Sequence, residues 1–461
     1  MFRHNSSTSS SKEILETRKK KRILVAKLLL VFAFVVWFVA QATPQYLYGY
    51  EASMIDKVDR LESTEGARIV LLGNSNLAFG VRSDMIEEAF GMPVVNMGLH
   101  GAQGKAFIEQ AAKLDVHEGD IYVLCHSELS DDDTIPDPML VWLTIEDHFD
   151  LWRLVRWKDW GLMLENYPTY LKKCLTLELN GTGNRNTGGA YTRTAFNEYG
   201  DVDYPRGLGE FVFTEGSVPE PVINETCVNR INELNAYLQE RGATLVVAGY
   251  PIADGAYTPD RSLYEQFQQE AEAALDCPVI STYTDYFLDY KYFYDTYMHL
   301  TNAGAVLRTR QLIQDLDDYL GENAQVRGQM IYVGDGFYQT DVSDSINFRD
   351  AYQWNWSTQD STLYMYNFDE SATTVQVQLH VESVTESSEL TVVTPDGSYT
   401  FPLNNTEGTD VTFPWTVQPG DNAIQLHCDA LEKDPSGGDR EVSFRILWDK
   451  DTAIQPYVAQ E

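Results

Sequence analysis

The sequence predicts an α/β unit, a parallel sheet with a helical cap inserted in it, followed by a C-terminal antiparallel β-sandwich of jelly-roll type. Three observations lead there. Short apolar runs alternate with helical patterns between Arg68 and Leu320, which implies parallel strands covered on both faces. A stretch rich in Trp, Tyr and Asn, 130–220, interrupts the alternation. From about Met330 to Lys450 the apolar period falls to two, with turns such as Pro395-Asp396-Gly397 between the runs. The 461 residues allow roughly three units at about 150 residues each. With 43% hydrophobic residues, a mostly disordered chain is excluded.

The elements follow in order. Residues 1–22 read as a basic cytoplasmic tail, with the cationic block Arg18-Lys19-Lys20-Lys21-Arg22. Ile23–Ala42 is apolar except for Lys27 and Gln41, long enough to cross a bilayer, with the basic block held inside. This predicts a single-pass membrane anchor with the rest of the chain extracytoplasmic. A cleaved signal peptide ending near Ala40-Gln41-Ala42 is the alternative, and it also puts residues 43–461 outside. Residues 43–66 read as a stalk and 67–322 as the α/β unit. Its expected strands are Arg68–Leu72, Pro93–Asn96, Asp120–Cys125, Thr244–Gly249 and Val279–Ser281. Its expected helices are Ser83–Phe90, Lys105–Leu114, Asn224–Arg241, Ser262–Leu275 and Thr301–Leu320, the first capped by Ser83 and the last by Thr301. Residues 323–461 read as the sandwich, in which Tyr352, Trp354 and Trp356 alternate on one face and suit either carbohydrate stacking or core packing.

Charge narrows the function classes. Of 34 basic and 69 acidic residues, eight and two lie in the first 42, leaving residues 43–461 with a net charge of −41. A body that acidic repels phosphate backbones, so no nucleic-acid partner is expected. Among the five cysteines there is no CxxC pair, so no structural zinc is expected. Cys174, Cys227 and Cys277 are open to pairing. His126 with Asp131–Asp133 lacks a second, properly spaced imidazole and reads as a solvated acidic turn rather than a metal site. Trp142, Trp152, Trp157 and Trp160 read as packed helix aromatics, with a sugar-stacking platform as the alternative.

Three segments can carry chemistry. Val70-Leu71-Leu72-Gly73-Asn74-Ser75-Asn76 delivers a serine to the carboxyl end of a buried strand, the edge where open parallel sheets bind ligands. Asp295 and His299 are four apart before the last helix. A serine hydroxyl needs an imidazole to take its proton and a carboxylate to orient that imidazole. Asn96-Met97-Gly98-Leu99-His100-Gly101 follows the second strand, where a backbone amide can face a developing oxyanion. The first two have plainer readings, a Gly-Asn-Ser turn and a helix-start histidine, and the third alone is a weak signal.

Together the three segments resemble the SGNH (GDSL-like) hydrolase superfamily over about residues 66–320, the cap excluded. Asn74 stands where that family more usually has Asp. The Asp-x-x-x-His spacing, with Leu300 and a following Gly304, is similar to the membrane-anchored branch that includes alginate O-acetylation and teichoic-acid D-alanylation proteins. The resemblance implies a flavodoxin-like sheet and a catalytic Ser75, His299 and Asp295, with oxyanion or substrate-binding positions at Asn76 and Gly101. It implies no cofactor. Where the family has Gly-x-Asn-Asp after the third strand, this chain has Cys125-His126-Ser127-Glu128, so Ser127 or His126 would have to donate instead. The expected function is serine-dependent acyl transfer or ester hydrolysis on a cell-surface glycan or teichoic-acid-like polymer, with a multispanning O-acyltransferase as partner. The alternatives are a non-catalytic glycan-binding or assembly protein on the same scaffold, and a secreted carbohydrate esterase.

Overall fold

The computed structural model describes residues 7–39, 43–146, 148–207, 209, 211–324, 326–338, 352–435, 439–449 and 452–458. Ile69–Gly73 (β1), Val94–Asn96 (β2), Ile121–Cys125 (β3) and Thr244–Val247 (β4) form a parallel sheet in the order β2-β1-β3-β4. Ile69 lies opposite Val94 on one side and Ile121 on the other, and Ile121 lies opposite Thr244. Val279, from the expected fifth strand, makes an isolated parallel bridge to Val247. The order is that of flavodoxin-like doubly wound sheets, which bind ligands beyond the carboxyl ends of their strands. All five residues of β1 are buried, as a run covered on both faces must be.

Helices lie on both faces. Lys105–Ala111 and Glu225–Gln239 pack with Val70, Leu72 and Tyr122, while Ser83–Phe90 and Asn302–Leu320 pack with Ile69, Leu71 and Val123. Their starts follow capping chemistry: Thr301 Oγ1 accepts from Gly304 N at 3.1 Å, and Asn224 Oδ1 from Cys227 N at 3.0 Å. Ser83 does not cap its helix. Arg82 holds that position, and Ser83 is instead buried against Asp201.

Residues 43–66 are not a free stalk. Their helix, Ser53–Ser63, buries Met54, Ile55, Val58 and Leu61 in the core of the α/β unit, because its apolar stripe faces the sheet. The insertion adds the helices Pro138–Ile145 and Trp160–Asn180. Trp142 is buried there, stacked on Tyr170 with its indole N–H on Met163 O at 2.9 Å, whereas Trp157 is 84% exposed. The Asp131–Asp133 turn is ion-paired rather than merely solvated: Asp131 meets Arg230 at 2.6 Å, and Asp133 meets Arg156 and Lys158.

Ser7–Val39 is one helix, and its side chains from Ile23 to Trp37 are exposed. The expected span Ile23–Ala42 continues into 40–42, outside the described residues. Among the described residues no helix is long and apolar enough to cross a membrane. The apolar run described, Ile23–Val39, falls short of the about 20 residues a bilayer core needs, and it contains Lys27. All five cysteines are buried free thiols, so the pairing left open for Cys174, Cys227 and Cys277 does not occur.

The C-terminal region is a sandwich of two five-stranded antiparallel sheets. In one, Thr373–Ser383 lies between Thr409–Val417 and Phe444–Asp449, with Tyr352–Ser357 beyond the latter. In the other, Gly420–Cys428 lies between Ser388–Thr394 and Asp360–Asn367, and Gln329–Val333 forms one edge. Alternate residues point inward, so Val377, Leu379, Val381, Phe413 and Trp415 fill the space between the sheets. Of the aromatics Tyr352, Trp354 and Trp356, the described side chain is that of Trp356; it is buried, with Arg445 5.3 Å from its ring centroid.

Candidate functional site

The site is built at the carboxyl ends of β1 and β2. After β1 the chain enters a one-turn helix, Ser75–Ala78, capped by Asn74, whose Oδ1 accepts from Asn76 N at 2.9 Å. Gly73 lets this turn sit close. A Cβ there would lie 2.8 Å from Leu77 Cδ1 and 2.9 Å from Cys125 O. Ser75 is thereby lifted clear of the sheet and half-buried.

From the far end of the α/β unit, the loop before Asn302–Leu320 brings His299 to it. His299 Nε2 is 2.8 Å from Ser75 Oγ, and His299 Nδ1 is 2.8 Å from Asp295 Oδ1. The backbone fixes this loop: Tyr294 N donates to His299 O at 2.8 Å, and Thr301 N to Tyr292 O at 2.9 Å. Phe79 stacks on the imidazole with centroids 4.1 Å apart. Burial lowers the His299 pKa below its ordinary 6.5 and outweighs the opposing effect of Asp295. The ring is therefore neutral at pH 7 and able to accept a proton at Nε2. Burial also pushes the Asp295 carboxyl up, but hydrogen bonds from His299 and Tyr191 prevail and hold it below the usual carboxylate range.

Tyr191 is a contributor that sequence reasoning did not find. Its hydroxyl donates to Asp295 Oδ2 at 2.5 Å and lies 3.1 Å from His299 Nδ1. It comes from the segment 180–200, which has no apolar period to mark it. Arg206, also from the insertion and fully buried, donates to Phe79 O at 3.0 Å and to Leu300 O at 2.8 Å. One guanidinium thus holds the residue stacked on His299 and the residue after His299.

The other expected residues divide. Gly101 lies beside the serine loop, where a Cβ would be 3.5 Å from Asn74 Nδ2. Neither the Ser75 nor the Gly101 N–H has a hydrogen-bond partner among the described residues. Ser127 Oγ accepts from Asn74 Nδ2 at 3.2 Å and so borders the site. Asn76 does not face it. Its side chain is buried and donates to Asn74 Oδ1 at 2.6 Å and Cys125 O at 2.9 Å, bracing β1 to β3. His126 is turned away and buried, with Nε2 3.0 Å from Glu109 Oε1. Asn74, marked in the sequence only as a departure from the usual Asp, has a place here too: one side-chain N–H remains beside Gly101 while its Oδ1 is fixed by Asn76.

Among the described residues no group of three or more His, Cys, Asp or Glu side chains could hold a metal ion. The arrangement can deliver a neutral base to a serine hydroxyl, with amide donors beside it.

No family model matches the chain, and no curated protein matches it. Solved structures match with low scores. The GH26-CBM35 β-(1,4)-mannanase of Podospora anserina is 12% identical over 30% of this chain and 29% of that one, with a TM-score of 0.19. A family 35 carbohydrate binding module from an environmental isolate is 14% identical over 28% of this chain and 99% of its own, with a TM-score of 0.18. A family two carbohydrate esterase from Cellvibrio japonicus is 11% identical over 29% of this chain and 37% of its own, with a TM-score of 0.16. The chain spans less than a third of the two mannanases, the second being a ruminal GH26 endo-β-1,4-mannanase. At these scores the likeness defines neither a family nor an activity.

Proposed function

We propose that the chain is a serine-dependent acyltransferase or esterase acting on an extracytoplasmic glycan or teichoic-acid-like polymer. The observation that carries this reading is the 2.8 Å approach of His299 Nε2 to Ser75 Oγ. Ser75 attacks an ester carbonyl as His299 takes its proton, and Asp295 keeps the Nδ1–H oriented. In this reading the N–H groups of Ser75 and Gly101, which have no partner among the described residues, and the Asn74 amide receive the oxyanion. The leaving alcohol takes the proton back from His299, which leaves an acyl-Ser75. A sugar hydroxyl or water then attacks that ester by the same steps in reverse. A location outside the cytoplasm is supported by the basic block 18–22 beside the exposed apolar run that follows it. A multispanning membrane O-acyltransferase would be the donor partner.

A fluorophosphonate probe tests the reading. It should form one adduct, on Ser75, and Ser75→Ala should lose about three orders of magnitude in p-nitrophenyl acetate turnover. A folded chain that takes no adduct at Ser75 overturns it. A glycan-binding or assembly partner without turnover is favoured by one observation: the third strand is followed by Cys125-His126-Ser127-Glu128, with no Asn donor. Ester cleavage lost in Ser75→Ala with glycan binding intact rejects that alternative. Supplying a glycan acceptor and following the acyl group separates transfer from hydrolysis.

A further inference from the structure

The chain that leaves the exposed apolar helix is pinned to the insertion. Glu146 Oε1 accepts from Gln45 N at 3.0 Å and from Tyr46 N, and Oε2 accepts from the Tyr170 hydroxyl at 2.7 Å. Asn184 adds three bonds: its Nδ2 donates to Pro44 O at 2.8 Å, its N to Gln45 O at 2.8 Å, and its Oδ1 accepts from Leu47 N at 3.1 Å. Phe38, near the end of the apolar helix, packs edge-on against Tyr167 at 5.4 Å, and the Tyr167 hydroxyl donates to Phe38 O at 3.3 Å. Apolar helix and insertion are therefore joined by fixed contacts rather than by a flexible tether.

Ring contacts carry the apolar surface on from there. Tyr167 meets Trp142 at 5.0 Å, Trp142 meets Trp152 at 5.4 Å, and Trp152 meets Trp160 at 5.9 Å. This series of rings surfaces at Trp160, 44% exposed, three residues after the 84% exposed Trp157. Leu164, Leu175 and Leu179, 55%, 39% and 87% exposed, continue from Trp160 along one stripe of the helix Trp160–Asn180, at the spacing of 3.6 residues per turn. Large apolar side chains exposed together mark an interaction surface. Residues 148–180 hold five basic and four acidic side chains, a net of +1, in a body whose net charge is −41. This segment is spared the charge that keeps the rest of the body off an anionic surface.

We propose that Trp157 and the stripe from Trp160 to Leu179 seat in the headgroup region of a lipid bilayer, the one that holds the apolar helix. Tryptophans suit that level, with an apolar ring and a wet N–H, and leucines beside the exposed Lys172 and Lys173 make the two faces of an interfacial helix. The proposal rests on the reading of Ile23–Ala42 as an anchor and adds an orientation to it: the insertion faces the membrane. Tyr191 ties the same insertion to Asp295, so a body seated this way holds Ser75 at a set height above the lipid.

The test uses the full chain in vesicles of equal parts phosphatidylcholine and phosphatidylglycerol. A nitrobenzoxadiazole probe is placed on one introduced thiol at a time: Trp157→Cys, Leu30→Cys in the apolar helix, or Val393→Cys in the sandwich. The five native thiols are buried and should stay unlabelled in the folded chain. Nitroxide-bearing lipid should quench the probe at 157, most when the nitroxide sits near the headgroup, and leave the probe at 393 bright. Leu164→Ser with Leu179→Ser, both on the exposed stripe, should cut the quenching at 157 by about twofold or more. A bright, water-exposed probe at 157 beside a quenched one at 30 removes the docking face and leaves the anchor. A probe at 157 that is shielded from water yet unquenched by lipid overturns the proposal in favour of a protein cover such as a second copy. Equal quenching at 157 and 393 also overturns it, because the whole body would then adsorb. Quenching at 157 with none at 30 keeps the lipid face and removes the anchor reading.

Discussion

Phe79 lies flat on the His299 imidazole, the centroids 4.1 Å apart and the planes 7° from parallel. This contact covers one face of the base with an apolar ring, and Arg206 donates to the Phe79 carbonyl. The face is laid down by the chain four residues after Ser75, so the nucleophile turn also sets the environment of its partner.

Phe79→Leu keeps an apolar residue but removes the ring. Solvent then reaches His299, and its pKa returns toward 6.5 from below. The acid limb of kcat/KM should move to higher pH, while turnover at pH 7, where most of the imidazole stays neutral, should fall by less than about twofold through this effect. A pH–rate profile with an acyl ester checks both.

In the unaltered chain the same depression predicts an acid limb whose midpoint lies below 6.5. Stability follows the same sign. Above 6.5 the imidazole is neutral both folded and unfolded; below it the unfolded chain takes up a proton that the folded one resists, so stability falls as pH drops. Urea melts of wild type and His299→Gln across pH 5 to 8 should converge toward the acid end.

Tyr191→Phe retains the ring contact with Phe79, 5.3 Å between centroids, and deletes the hydroxyl on Asp295. A hydrogen bond to a charged group is worth about 1.5–3 kcal/mol. The carboxylate freed from it draws more strongly on His299, raising the imidazole pKa. The expected result is a kcat lower by about tenfold with KM nearly unchanged, and an acid limb moved upward.

Lys57 is fully buried over the Phe196 ring, donating to Asn96 O at 2.9 Å and to Gly200 O. Burial lowers its pKa from 10.5 to about 7. Between those values the unfolded chain holds a proton that the folded one has released, so raising pH stabilises the fold through this group. Relative to Lys57→Met, the wild type should therefore gain stability from pH 7 to pH 10, measured by urea unfolding.

Asp421, in the sandwich, accepts from Tyr292 at 2.8 Å and Lys291 at 2.9 Å, residues of the loop that leads to Asp295 and His299. Tyr332 completes the cluster, 2.7 Å from the Tyr292 hydroxyl. Asp421→Ala leaves the two largely buried phenols only each other, so one donor goes unpaired, and should cost about 1–3 kcal/mol in urea unfolding. It should also lower turnover, because Tyr292 O anchors the loop through Thr301. A loss of stability with full activity would show that the sandwich does not brace that loop.

Much of this was legible in the chain. Val70–Leu72 reads as a strand because both its faces are covered, and Thr301 reads as a cap because a hydroxyl precedes a helical period. Ser75 and His299 stood out because the chemistry needs both types next to regular elements. What stayed hidden depends on distant partners. Tyr191 and Arg206 act from an aperiodic insertion, and nothing local marks a tyrosine that will meet Asp295, 104 residues on. Asn76 resembled a site residue by position, yet its amide is used up between Asn74 and Cys125. Residues 43–66 looked like a spacer because their one short stripe, Met54 to Leu61, shows its worth only once the sheet is there to meet it.

The buried thiols have a consequence of their own. Burial raises Cys125 and Cys174 above the ordinary thiol range and pushes Cys227 and Cys277 up to about 12. Only the deprotonated sulfur attacks or exchanges. A chain built this way holds its shape in an oxidising medium without cross-links to form or break, and reductants find nothing in it to undo.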